Sequence, residues 1–117
     1  MINQSLKNKK IIISAGASGI GLATAKVCLS RGAYVYLCDI DNKSLNKLNK
    51  HPLINKKLFT FYCDAADETQ VMDLFKKISK KTKKIDALIN NVGIAGPTGS
   101  LEKLNSQDWE RTIQVDV

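Results

Sequence analysis

Ser14-Ala15-Gly16-Ala17-Ser18-Gly19-Ile20-Gly21 is the stretch whose residue types and spacing could do chemistry. It follows the apolar run Ile11-Ile12-Ile13 and leads into Leu22-Ala23-Thr24-Ala25-Lys26-Val27, an order that predicts strand, glycine turn and helix. Such a turn lets backbone approach a pyrophosphate, while free N–H groups and the helix dipole favour the anion. Glycine suits these positions because a Cβ would block the approach or forbid the required φ. Any tight strand-to-helix connection also favours glycine, so the turn needs support from elsewhere in the chain.

Asp39 supplies it, eighteen positions past Gly21. The segment Ala33 to Cys38 is apolar, β-branched or aromatic and predicts a second strand ending at Asp39. An acidic residue there can accept hydrogen bonds from an adenosine ribose and would repel a 2′-phosphate. That favours NAD over NADP. The competing assignment is that Asp39 or Asp41 caps the next helix, a position Asp fills well.

The elements that must position these residues alternate along the whole chain. Strands are predicted at about Lys10 to Ser14, Tyr34 to Cys38, Leu58 to Cys63 and Ala87 to Asn90. Helices are predicted at about Gly19 to Ser30, Asn42 to Lys50 and Glu68 to Lys81, with a last one beginning near Ser106. Gly32 stands where a helix C-cap would, and Pro52 bars continuation of the second helix. Strands joined by such helices form right-handed crossovers and a parallel sheet covered on both faces. The expected fold class is therefore α/β, a Rossmann-like doubly wound parallel sheet of about four strands. Ligands bind such sheets beyond the carboxyl ends of the strands, where the glycine turn, Asp39, Asp64 and Asn90-Asn91 all fall.

Bulk properties narrow the class. The 117 residues suffice for one core and not for two ordinary domains. Apolar content of 44% and charged content of 25% are those of a globular protein without a membrane-spanning run. The first ten residues carry no hydrophobic signal core, which predicts a cytoplasmic location. The net charge of +7 is concentrated in Lys76 to Lys84, but Val71, Leu74, Phe75 and Ile78 recur at helical spacing. That assigns the lysines to a solvated face rather than to nucleic acid. Cys28, Cys38 and Cys63 form no Cys-x-x-Cys pair and read as buried, reduced thiols. His51, before Pro52, reads as a surface loop residue without companion metal ligands.

These motifs together resemble the amino-terminal half of the short-chain dehydrogenase/reductase family, from about Lys9 onward. Ser14 to Gly21 is similar to its Thr-Gly-x-x-x-Gly-x-Gly turn, and Asp39 falls where NAD-preferring members carry an acidic residue. Asp64 matches the Asp that bonds the adenine amino group, and Asn90-Asn91-Val92-Gly93 resembles the Asn-Asn-Ala-Gly signature after Asp86-Ala87-Leu88. Trp109 resembles the start of the family's interface helix. The resemblance implies a cofactor set of Ser14, Gly16, Ser18, Gly19, Ile20, Gly21, Asp39, Ile40, Asp64, Ala65, Asn90, Asn91, Val92 and Gly93. It implies an NAD-dependent oxidoreductase acting on a small secondary alcohol or ketone, commonly as a homo-oligomer.

Three departures qualify the resemblance. Ala15 replaces the first glycine of the turn, which is tolerable only if its φ is negative. Asp116 stands at the family's catalytic Asn on the interface helix. The family's Ser and Tyr-x-x-x-Lys belong to its other half, and none of Tyr34, Tyr36 and Tyr62 has Lys four positions later. The chain is therefore expected to be a fragment, with Ala87 to Asn90 an unpaired, association-prone edge. A non-catalytic dinucleotide sensor or partner subunit is the alternative function.

Overall fold

The computed structural model describes residues 4–91 and, for backbone only, 113–116. Its elements run β1 (Lys10–Ser14), α1 (Gly19–Ser30), β2 (Tyr34–Asp39), α2 (Asn42–Leu48), β3 (Leu58–Tyr62), α3 (Glu68–Ser79), β4 (Ala87–Asn90) and β5 (Ile113–Asp116). The strands form one sheet in the order β3-β2-β1-β4-β5, every pair parallel. The chain thus winds outward from β1 to β3, then crosses back to place β4 on the other side of β1.

Alternation along β1 explains why both faces are covered. Ile11 and Ile13 point to one face, where they pack with Val35, Leu37, Ala25 and Leu29 of α1, and Leu45 and Leu48 of α2. Ile12 points to the other, among Tyr36, Leu88 and the α3 residues Val71, Leu74, Phe75 and Ile78. Successive strand side chains face opposite ways, so a central strand with three consecutive isoleucines must be sandwiched between helix layers. The α3 periodicity does what its spacing predicts: those four residues are buried, while Lys76, Lys77, Lys80 and Lys81 face water.

Helix starts differ in a way that bears on function. Asp41 caps α2, its carboxylate accepting from the N–H groups of Lys43 and Ser44. Those bonds, with one from the Ser44 hydroxyl, hold its pKa below the usual carboxylate value. Asp67 caps α3 through the N–H groups of Thr69 and Gln70, at 2.9 and 3.3 Å. Gly32, at φ +93°, closes the C-terminal end of α1 as its position suggested. All three cysteines are buried free thiols. His51 is half-buried rather than fully at the surface, its Nδ1 accepting from the Leu53 N–H at 3.0 Å.

One expectation is overturned. Residues 113–116 form a strand, not part of a helix that carries Asp116, and β5 covers the edge of β4 that was expected to lie open. The alternation Ile113-Gln114-Val115-Asp116 suits a strand, and β-branched residues at two of four positions disfavour helix. The exposed N–H and C=O row of β4 supplies the template for pairing. The helix expected from Ser106, and Trp109 within it, lie outside the described residues. Among the described residues, no helix is long and apolar enough to cross a membrane.

Replacing Asp67 by Ala removes both cap bonds and is expected to lower stability by about 1 kcal/mol. Chemical denaturation checks this, with Asp67→Asn retaining most of the stability.

Candidate functional site

The sheet's winding reverses at β1: α1 and α2 pack on one face, and α3, which leads into β4, packs on the other. Such a switch point opens a crevice at the carboxyl ends of the strands. The seam between β1 and β4 is locked there by Ser14. Its hydroxyl donates to Asn90 Oδ1 at 2.9 Å and accepts from the Asn91 N–H at 3.2 Å. The Ser14 carbonyl accepts from Asn91 Nδ2 at 2.8 Å. Ser14 and Asn90 are buried, so they brace the floor of the crevice and do not line it.

A cavity of about 540 Å³ opens above this seam. Its wall is built by Ala15, Ser18, Ile20 and Gly21 from the first turn, Asp39 and Ile40 after β2, Cys63, Asp64, Ala65 and Ala66 after β3, and Asn91 after β4. Four separate segments of the sequence therefore converge on one space, of a size usual for small-ligand sites. Val92 and Gly93 lie outside the described residues.

Ala15 departs from expectation. Its φ is +52°, in the left-handed region, where the sequence argument required a negative value. The turn keeps the geometry a glycine would favour and carries an alanine in it. In that geometry the Gly16 N–H donates to the Cys38 carbonyl at 3.1 Å, tying the turn to the end of β2. A Cβ at Gly16 would lie 2.8 Å from the Cβ of Leu37, so this glycine serves packing against β2 and does not line the cavity. A Cβ at Gly21 would strike the Ala15 carbonyl oxygen and Asn91 Nδ2, which explains glycine where α1 passes over the turn. Gly19 adopts φ +58° with open space beside it.

The start of α1 is chemically unlike those of α2 and α3. Ser18 occupies its N-cap position but makes no capping hydrogen bond, and the first turn holds no acidic residue. The first N–H groups of a helix lack intrahelical partners and carry partial positive charge. Here they meet the cavity without a carboxylate to satisfy them. Beside this helix start, Asp39 is fixed rather than free: its carboxylate accepts from the N–H groups of Ala17 at 3.1 Å and Asp41 at 3.0 Å. Since Asp41 caps α2, the helix-cap assignment for Asp39 falls away. Asp64 accepts from the Ala66 N–H at 2.9 Å, and its own N–H donates to Gln70 Oε1. Ile20 and Ile40 are 70% and 59% exposed, apolar surfaces facing the cavity without cover among the described residues. Among the described residues, the buried Asn91 Oδ1 has no hydrogen-bond partner, an acceptor that burial alone would leave costly.

Asp116 reaches the same edge of the sheet by another route than the one expected. Its backbone pairs in register with Asn90 at the carboxyl end of β5. Cys63, Ala15 and Ala66 were not foreseen as cavity residues; Cys63 was legible only as a small apolar filler.

The fold defines the class: a doubly wound, Rossmann-like parallel α/β sheet. The model of the short chain dehydrogenase family matches residues 9–117, and the chain belongs to that family. It is 34% identical over its full length to short-chain dehydrogenase reductase 5 of Arabidopsis thaliana, spanning 45% of that protein. It is 32% identical to the 15-hydroxyprostaglandin dehydrogenase [NAD(+)] of Bos taurus, with 96% of this chain matched to 40% of that protein. Among solved structures, 2-keto-3-deoxy-D-gluconate dehydrogenase from Streptococcus agalactiae superposes with a TM-score of 0.67 at 30% identity. That superposition covers 81% of this chain and 36% of the other. The chain thus spans less than half the length of these relatives.

Ala15→Gly relieves the left-handed alanine, worth about 1–2 kcal/mol, against a smaller entropic loss for the added glycine. The expected net effect is a stabilisation of roughly 0.5–1 kcal/mol by denaturant titration. Unchanged or reduced stability would contradict the left-handed assignment.

Proposed function

We propose that the chain is the cofactor-binding portion of an NAD-dependent oxidoreductase that moves hydride between nicotinamide and a small secondary alcohol or ketone. The observation that carries this reading is that one cavity is lined both by an uncapped helix start and by the carboxylate of Asp39. The first suits the two negative charges of a pyrophosphate; the second suits two vicinal ribose hydroxyls. When bound, the dinucleotide supplies or accepts the hydride.

The residues of this chain bind and orient. Ser18 and the N–H groups at Gly19 to Gly21 would hold the pyrophosphate, and the absence of a Cβ at Gly19 keeps that approach open. Asp39, anchored by Ala17 and Asp41, would accept from the ribose. Ile20 and Ile40 would exclude water from the adenine, with Asp64 and Ala65 at its polar edge. Asn91 Oδ1 is an acceptor awaiting a donor hydroxyl. Val92, Gly93 and Asp116 belong to the nicotinamide end by their family positions.

The preference for NAD rests on charge. A fixed carboxylate accepts ribose hydroxyls and repels a 2′-phosphate. The bovine relative, whose name specifies NAD(+), agrees with that choice. The proton-transferring Ser and Tyr-x-x-x-Lys would come from the portion of the relatives that this chain does not span. We place the protein in the cytoplasm, as a homo-oligomer, acting on neither nucleic acid nor membrane.

Asp39→Ala tests the cofactor assignment in the full-length protein. The ratio of NADH to NADPH affinity is expected to fall at least tenfold, with Asp39→Asn, which keeps one acceptor oxygen, following the same direction. An unchanged ratio in both variants would remove Asp39 from ribose recognition.

A further inference from the structure

We propose that Cys38 and Cys63 are a redox-modification site, a dithiol that peroxide converts to a disulfide and that thereby controls access to the nucleotide cavity. The controlling part rests on the cofactor-binding reading above; the disulfide itself does not.

Register brings the two thiols together. Cys38 pairs with Phe61, so Cys63, two positions on, projects from the same face as its diagonal neighbour. The backbone closes the gap further, the Cys63 N–H donating to the Asp39 carbonyl at 3.1 Å. Both side chains lie in the same core layer beneath α3, and each thiol shifts the titration of the other. Cys28 packs in the layer on the opposite face of the sheet, with β1, β2 and β4 between. It cannot reach either.

The two thiols are not equivalent. Cys63 lines the cavity, whereas Cys38 lies under it, away from the wall. The neighbouring Cys38 thiol lowers the Cys63 pKa, opposed by burial and by the charges of Asp64 and Asp67 and helped by Lys77. The Cys63 thiol, with burial, pushes Cys38 up. Because Cys63 borders the cavity and Cys38 does not, Cys63 is the sulfur that peroxide reaches first and Cys38 the resolving one.

The reaction balances with hydrogen peroxide as the named oxidant. Cys63 thiolate attacks one peroxide oxygen; the O–O bond breaks, hydroxide leaves, and Cys63 becomes a sulfenic acid. The Cys38 sulfur then attacks Cys63; the S–O bond breaks, the S–S bond forms, and water leaves with the Cys38 proton. Two electrons pass from the thiols to peroxide, and two waters result.

Closing the bond has a structural consequence. Cys38 is held inside β2 by neighbours on both sides, while Cys63 lies just past the end of β3. The movement that closes the covalent bond falls on the Cys63–Asp67 connection. That connection carries Asp64, Ala65 and Ala66 of the cavity wall. Drawing it toward β2 narrows the space between Asp64 and Ile40.

The experiment uses the intact protein carrying Cys28→Ala, reduced or treated with hydrogen peroxide, and read by intact mass, free-thiol titration and NADH titration. Expected are a loss of two hydrogens, loss of both free thiols, at least tenfold weaker NADH binding, and full reversal by dithiothreitol. Cys38→Ala should instead stop at a sulfenic or sulfinic acid on Cys63. An intermolecular disulfide, or no mass change at peroxide levels that oxidise free cysteine, overturns the site. A disulfide that leaves NADH affinity unchanged overturns its control of the cavity. Failure of the reduced protein to bind NADH would instead strike the cofactor reading, with the mass result still deciding the disulfide.

Discussion

The hydrogen-bonded seam between β1 and β4 is the constraint on which the site depends. These strands are adjacent in the sheet yet separated by more than seventy residues, and each is clamped at both ends. At the amino end, Asp86 accepts from the Lys10 N–H at 2.8 Å and returns its own N–H to the Lys10 carbonyl. At the carboxyl end, Ser14 holds Asn90 and Asn91 through three bonds. Breaking one partner of a buried polar set leaves the others unsatisfied, so the network acts as a unit. Because the winding reverses at β1, with α1 on one face and α3 on the other, this seam is also where the crevice opens. The bonds that hold the sheet together therefore set the position of the cavity floor.

Stability and binding pull in different directions around that floor. The helix starts away from the turn, at α2 and α3, have aspartate caps that satisfy their free N–H groups. The start of α1 has none, and the preceding turn holds an alanine in a left-handed conformation. Two exposed isoleucines and the buried Asn91 Oδ1, without a partner among the described residues, adjoin the same space. Each feature costs the empty protein some stability, and each becomes favourable with an anionic, partly apolar ligand in place. Several local rules broken together around one cavity are the physical signature of a site.

Much of this was legible in the sequence. The Ile11-Ile12-Ile13 run demanded cover on both faces, the α3 spacing separated its apolar and lysine faces, and the element bounds agree within two residues. Convergence of Ser18 to Gly21, Asp39, Asp64 and Asn91 followed from placing them at strand ends. What escaped had non-local causes. The positive φ of Ala15 accompanies a bond from Gly16 to the Cys38 carbonyl, a contact between the turn and β2 that composition does not encode. Gly16 looked like a phosphate-facing glycine, yet Leu37 behind it sets the requirement. Ile113 to Asp116 carries too few residues for periodicity to decide, and the open side of β4 determines its pairing. The Cys38–Cys63 contact is a matter of register between strands twenty residues apart, invisible to spacing along the chain.

The central claim is that the free start of α1 is kept uncapped for an anion in the cavity. Ser18→Asp tests it by supplying the cap that α2 and α3 already have, measured as paired denaturant and NADH titrations of the full-length protein. The account predicts a stability gain of roughly 0.5–1 kcal/mol together with at least tenfold weaker NADH binding, because the new carboxylate occupies the N–H groups and repels the pyrophosphate. A gain in stability with NADH affinity unchanged would contradict it, since the helix start would then be free of any role in binding.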